Sequence, residues 1–251
     1  MNIIKTASYE LAIYAQGDPR SAKLAIVTPG RLDSKDYASM RGHVDYLAKR
    51  GYYALSFDPP GTWESPGDIS LYTTTGTLQA TNELIDHFGA KPTLLIGHSR
   101  GGANAMLVGV SNEHVTHFVA VLSHAGPTNV DLPKPGEAAV RSHRDLPPGT
   151  TRTVKQKDFA LPVSYFEDQA KYDATSGLKT CTKPKLFFYG TEDVLVSEAS
   201  VRQLYSLSAE PKMIQGLKTE HDYRLHPEII EEVNKTIGEF LDTYPAAEIR
   251  T

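Results

Sequence analysis

The sequence predicts an α/β protein built on a mostly parallel, doubly wound sheet flanked by helices, and three observations predict it. Five short apolar runs have the character of strands buried on both faces. Stretches with helical apolar spacing alternate with them. At residues 94–103 an apolar strand runs through Gly97-His98-Ser99-Arg100-Gly101 directly into a helical pattern.

Taken in order, residues 8–15 alternate apolar and polar, which predicts an antiparallel edge strand. Residues 23–28 (KLAIVT) and 52–57 (YYALSF) read as parallel strands, and between them residues 37–49 place Tyr37, Met40, Val44 and Leu47 on one helical face. A helix over 78–88 precedes the strand 93–96 (TLLI), and a helix over 103–110 precedes the strand 117–122 (HFVAVL). A further strand, 185–189 (KLFFY), leads to a helix over 199–207. The last helix, 228–241, begins at His226-Pro227, a pair suited to a helix N-terminus.

Residues 126–180 break this rhythm, with several prolines, many charges and no clear strand. A structureless loop of that length is foreign to a compact domain, so the segment predicts a small cap of one or two helices centred on 162–172. Residues 1–251 otherwise read as a single domain. Within 134–157 six basic residues (Lys134, Arg141, Arg144, Arg152, Lys155, Lys157) face two acidic ones (Glu137, Asp145). A solvated charged surface is the first reading, and attraction of carboxylate-bearing substrates the second.

The chain has 251 residues, 40% of them hydrophobic, enough for one substantial core. A formal net charge of −4 argues against nucleic acid or an anionic membrane as the main partner and leaves a small molecule, with a homodimer permitted. The absence of a long apolar run or a basic-then-apolar leader predicts a cytoplasmic protein. The single cysteine, Cys181, rules out an internal disulfide and thiolate zinc sites, and reads as a structural residue.

Serine in Gly-x-Ser-x-Gly between a strand and a helix is the signature of a nucleophile elbow. Gly97 and Gly101 leave room for close backbone approach, and the helix beyond them offers backbone N–H groups to an oxyanion, with Arg100 N–H as the predicted donor. The junction, with the strands and helices around it, resembles the α/β-hydrolase superfamily over residues 23–241. The resemblance implies a nucleophile–acid–base order. After the strand 185–189, Gly190-Thr191-Glu192-Asp193 looks like the acid loop, with Asp193 at the acid position. Residues 211–217 then supply a last strand, and His221 comes next as the base. Glu192 is the rival acid, and His226, His124 and His98 are rival bases, each ranked lower. His226 reads as a helix cap. His98 and His124, with Gly30, are expected to contact substrate.

The family's second oxyanion donor comes from the loop after the strand 23–28. Here Thr28-Pro29-Gly30-Arg31 keeps the glycine but has Pro29 where histidine is usual, which makes Arg31 N–H the expected donor. Asp58-Pro59-Pro60-Gly61 is similar to the family's Asp-x-Arg-Gly turn, with Asp58 and Gly61 read as structural. The compact size, the Gly-His-Ser-x-Gly-Gly elbow and the short insertion are most similar to small bacterial carboxylesterases of the cinnamoyl (feruloyl) type. This resemblance implies ester hydrolysis through an acyl-enzyme, with no metal and no cofactor. The alternatives are a thioesterase, aminopeptidase or lipase with the same triad, or a hydrolase-fold protein that only binds its ligand.

Overall fold

The computed structural model describes residues 2–126, 132–152 and 155–245. The chain opens with β1 (Asn2–Lys5), β2 (Glu10–Gln16) and β3 (Leu24–Thr28), followed by α1 (Ala38–Lys49) and β4 (Tyr53–Phe57). Next come α2 (Thr74–His87), β5 (Thr93–His98), α3 (Arg100–Ser111) and β6 (Val115–Val121). The inserted segment holds β7 (Ala139–Asp145), β8 (Gln156–Pro162), α4 (Val163–Gln169) and α5 (Thr175–Leu178). The chain then returns through β9 (Lys185–Gly190), α6 (Glu198–Leu207), β10 (Lys212–Leu217) and α7 (Pro227–Thr243).

Eight strands form one sheet in the order β1-β2-β4-β3-β5-β6-β9-β10. From β4 to β10 every pairing is parallel, while β1–β2 and β2–β4 are antiparallel. Residues 8–15 were expected at the edge. The edge is instead β1, and β2 lies inside it, with Ile3 opposite Ala12. Four polar-flanked residues carry too little alternation to announce a strand, and β1 exists because β2 offers it a free ladder of N–H and C=O groups.

Successive residues of each central strand feed opposite faces, the period-2 rule of extended chain. Leu24, Ile26, Leu95, Phe118 and Phe187 pack under α2, α3 and α6, while Ala25, Val27, Ile96, Val119 and Phe188 pack under α1 and α7. The predicted α1 face, Met40, Val44 and Leu47, lies in this second cluster. Helix starts obey local chemistry. Thr73 Oγ1 accepts from the Gly76 N–H at 2.9 Å to cap α2, and Pro227 occupies the first turn of α7 after His226.

The inserted segment departs from expectation. It carries the expected helix as α4, but also a β-hairpin, β7–β8, in which Val140 faces Leu161 and Ser142 faces Phe159. The cap expected over 126–180 includes 127–131 and 153–154, which lie outside the described residues. The hairpin and α4 close a third apolar cluster of Phe159, Leu161, Tyr165 and Phe166 on Leu32 and Tyr72. Asp168 of α4 fastens the segment to α2 by accepting from Thr75 N–H (2.9 Å) and Thr75 Oγ1–H (2.6 Å). Among the described residues no helix is long and apolar enough to cross a membrane.

Candidate active site

The strand order reverses at β3, which pairs with β4 on one side and β5 on the other, so the loops leaving β3 and β5 diverge and open a crevice at their carboxyl ends. Ser99 stands there, between β5 and α3, with φ 52° and ψ −120°, a conformation that costs an L-residue about 1–3 kcal/mol. Tight packing holds it. A Cβ on Gly97 would strike the Gly101 carbonyl, and one on Gly101 would strike the Thr28 carbonyl. Thr28 Oγ1–H lies within bonding distance of the Ile96 carbonyl (3.0 Å) and the Gly101 carbonyl (2.8 Å), tying β3 to the turn.

Two loops at the far side of the sheet bring the remaining groups. Ser99 Oγ–H donates to His221 Nε2 at 2.8 Å, and His221 Nδ1–H donates to Asp193 Oδ2 at 2.7 Å. The other Asp193 oxygen accepts from the backbone N–H groups of Leu195 (2.8 Å) and Val196 (2.9 Å). Burial works to raise the Asp193 carboxyl, but its bond to His221 and these two N–H donors prevail and hold it below its ordinary value. A hydroxyl, an imidazole and an ionised carboxylate in one hydrogen-bonded line can move a proton off the serine and stabilise the resulting imidazolium.

Arg100 is the first residue of α3, so its N–H has no intrahelical acceptor. Arg31 lies in the loop after β3, and that loop is pinned on several sides. Leu32, at φ 59°, donates its N–H to Tyr72 Oη (2.9 Å), and its carbonyl accepts from Trp63 Nε1–H (2.8 Å). The Arg31 carbonyl accepts from Arg144 Nε–H (2.9 Å) and Nη2–H (2.6 Å). Arg144 comes from β7, so the inserted hairpin bears directly on the loop after β3. Its guanidinium also lies 3.4 Å from the buried Asp33. Burial favours the neutral acid at Asp33, but the Arg144 charge and a bond from His98 outweigh it and hold the carboxyl at about 2.

A cavity of about 400 Å³ opens over Ser99, within the size range of small-molecule sites. Its walls include His98, His124 and Tyr165, the acid-loop residues Val194, Leu195 and Val196, and several arginines and carboxylates. His124 lines the cavity, with Nε2 3.3 Å from the Leu195 carbonyl. His98 also lines it, but its nitrogens are engaged, Nε2 with the His221 carbonyl (2.9 Å) and Nδ1 with Asp33 (3.3 Å). Gly30 stands behind the wall, where a Cβ would come 2.5 Å from Asp33 Oδ2.

The rival residues fall elsewhere. Glu192 is exposed at the rim, and His226 faces Glu220 (3.5 Å) and Glu228 (3.8 Å) at the start of α7. Asp58 is buried under residues 34–35 and 64, and burial, partly offset by Lys35, raises it to about 6. Of the six basic residues in 134–157, Arg144, Arg152 and Lys157 have partners within the protein, while Lys134 and Arg141 are exposed. Arg152 pairs with Glu220 (2.8 Å) and Asp222 (3.0 Å), and Lys157 donates to the Trp63 carbonyl (3.1 Å). Asp33, Tyr72 and the inward role of Arg144 were not foreseen, because each depends on a partner far away in sequence. Among the described residues no group of three or more His, Cys, Asp or Glu side chains could hold a metal ion.

Comparison with known proteins identifies the fold. Est1E from Butyrivibrio proteoclasticus, solved with bound ferulic acid, is 17% identical, with a TM-score of 0.75 over 96% of this chain and 100% of its own. The esterase domain of a Rhodothermus marinus protein is 19% identical (TM-score 0.72, 97% of each chain). The enol-lactonase of Burkholderia xenovorans LB400 is 16% identical (TM-score 0.71, 96% of this chain and 100% of that one). No curated protein sequence matches significantly. The model of the alpha/beta hydrolase family matches residues 26–228. With that match spanning most of the chain and an eight-stranded, mostly parallel sheet of the corresponding order, the protein belongs to the alpha/beta hydrolase family.

Proposed function

We propose that the protein is a serine esterase that cleaves carboxylic esters of small molecules through an acyl-enzyme. The observation that carries this reading is the unbroken line from Asp193 through His221 to Ser99 at the floor of an open cavity. In the first half-reaction His221 Nε2 takes the Ser99 proton as Oγ attacks the ester carbonyl, and the N–H groups of Arg100 and Arg31 receive the developing oxyanion. His221 then passes the proton to the departing alcohol. In the second half a water, deprotonated by His221, attacks the acyl-enzyme, and the acid leaves with Ser99 restored. Every proton is accounted for by the imidazole, with Asp193 holding its tautomer. The cleft accommodates small molecules, and esterases and a lactonase among the structural neighbours support an ester as the bond cleaved.

The test is reaction with a fluorophosphonate probe together with release of p-nitrophenol from short-chain p-nitrophenyl esters. Labelling at Ser99 with ester turnover, both lost in Ser99→Ala, is the expected result. Faster turnover of acyl-CoA or amino-acid amides would reassign the protein to a thioesterase or aminopeptidase. Ligand binding without labelling would reassign it to a binding protein.

A further inference from the structure

The arginines around the cavity are not equivalent. Arg144 has Asp33 and the Arg31 carbonyl, and Arg152 has Glu220 and Asp222. Arg100, the residue after Ser99, lines the same cavity half-buried, yet among the described residues no carboxylate comes within 4.0 Å of it. Its guanidinium donates to Thr74 Oγ1 and otherwise faces the ring of Tyr165, 5.9 Å from the centroid. A guanidinium carries five N–H donors in a planar fork matched to a carboxylate, and one hydroxyl uses little of that capacity. A cation partly shielded from water with no carboxylate beside it gains from an incoming anion more than one already paired.

The surroundings reinforce the imbalance. Tyr165 and Tyr72 are buried and stacked at 5.2 Å, forming an apolar wall that leaves the Arg100 charge poorly screened. The carboxylates within the cavity are spoken for, Asp33 by Arg144 and His98, and Glu220 and Asp222 by Arg152; Glu192 points to water at the rim.

We propose that Arg100 is a specificity-determining anion anchor, and that the preferred substrates are esters carrying a carboxylate that its guanidinium binds while the ester carbonyl meets Ser99. The carboxylate takes no part in bond-making. This rests on the esterase reading of Ser99 for turnover, though not for binding.

Two matched pairs test it: p-nitrophenyl hemisuccinate against its methyl-capped diester, and 4-carboxyphenyl acetate against 4-carbamoylphenyl acetate. Wild-type protein should favour the anionic member of at least one pair by about tenfold or more in kcat/KM, with the preference shrinking as salt rises. In Arg100→Met the ratio within that pair should fall to about one, whatever happens to the absolute rates, and Arg100→Lys should retain part of it because the charge stays and the fork is lost. Calorimetric Kd values for the same pairs on Ser99→Ala, and on Ser99→Ala/Arg100→Met or Ser99→Ala/Arg100→Lys, give a readout independent of turnover. Hydrolysis with no anion preference in either pair overturns the anchor and leaves the esterase intact. Absent hydrolysis with an Arg100-dependent anion preference in binding overturns the esterase and leaves the anchor. A preference that survives both Arg100 substitutions undiminished places the anion elsewhere and overturns the assignment.

Discussion

Arg144 and Arg31 are joined by two hydrogen bonds, at 2.9 and 2.6 Å, from the guanidinium of one to the backbone carbonyl of the other. The contact spans 113 residues of sequence and links the inserted hairpin to the loop proposed to hold the oxyanion. Fixing the Arg31 carbonyl restrains the peptide plane next to the one that carries the Arg31 N–H.

Arg144→Met should therefore impair both stability and turnover. Removing one partner of a fully buried ion pair costs about 3–5 kcal/mol; with the Arg144 side chain 27% exposed, solvent screening reduces the loss expected in urea denaturation to about 2–3 kcal/mol. Adding Asp33→Asn should return much of the stability by removing the stranded charge, without returning kcat. Full recovery of kcat in the double variant would mean that Arg144 does not position the loop.

Ser99→Ala should reduce ester turnover to a trace and shift stability by no more than about 1 kcal/mol, the net worth of one hydrogen bond. The backbone strain persists with alanine. Ser99→Gly relieves it, since glycine accepts φ 52°, and should melt higher than Ser99→Ala. Equal melting temperatures would show that the elbow stores no strain.

Asp193→Asn keeps the acid loop closed, because the carboxamide oxygen can still accept from Leu195 and Val196 N–H. Its NH₂ group then faces His221 Nδ1 and favours the wrong tautomer, so kcat should fall by about 10⁴ with little change in KM. A loss under tenfold would remove Asp193 from the acid role.

His43, which stacks on Tyr223 behind His98, gives the protein an acid sensitivity outside the Ser99–His221–Asp193 line. It is fully buried, donating Nδ1–H to Asn234 Oδ1 (2.6 Å) and accepting at Nε2 from Tyr223 Oη–H (2.7 Å), a pattern only the neutral ring satisfies. Burial lowers it from 6.5 to about 4. Between those values the unfolded chain binds a proton that the folded protein refuses, so stability falls as pH drops through this window, by on the order of 3 kcal/mol. Asp58, raised from 3.8 to about 6, contributes the opposite slope over pH 4–6. The difference in unfolding free energy between wild type and His43→Gln, tracked from pH 7 to 4.5, isolates the histidine and should shrink on acidification. A constant difference would show that His43 titrates alike in both states.

Gly97→Ala should prevent the elbow from forming, because the added carbon meets the Gly101 carbonyl, a backbone atom that cannot rotate away. Insoluble or inactive protein, or a melting temperature many degrees lower, is expected. A native-like, active variant would mean that the turn closes less tightly.

The central sheet was readable because each parallel strand is buried on both faces and must be apolar along its whole length, a demand local sequence displays. Leu24–Thr28 and Tyr53–Phe57 are buried at every position. The elbow was equally plain, since only glycine at 97 and 101 allows that backbone approach. Asp193 and His221 were found through the family's order, not through spacing, and only folding brings them to Ser99. The β7–β8 hairpin escaped notice because its inward positions on β7 are Val140, Ser142 and Arg144, which break the apolar alternation that marks a half-buried strand. Arg144 is tolerated there because Asp33 and the Arg31 carbonyl receive its guanidinium, and Lys157 because its ammonium rests on Trp63 and Phe159. By itself the sequence determined the sheet, the order of its helices and the serine turn, because those depend on neighbours along the chain and on burial. Tertiary structure alone decided the edge strand, the hairpin and the unequal pairing of the cavity arginines, because a hydrogen-bond ladder or a counter-charge contributed by a distant segment leaves no local trace.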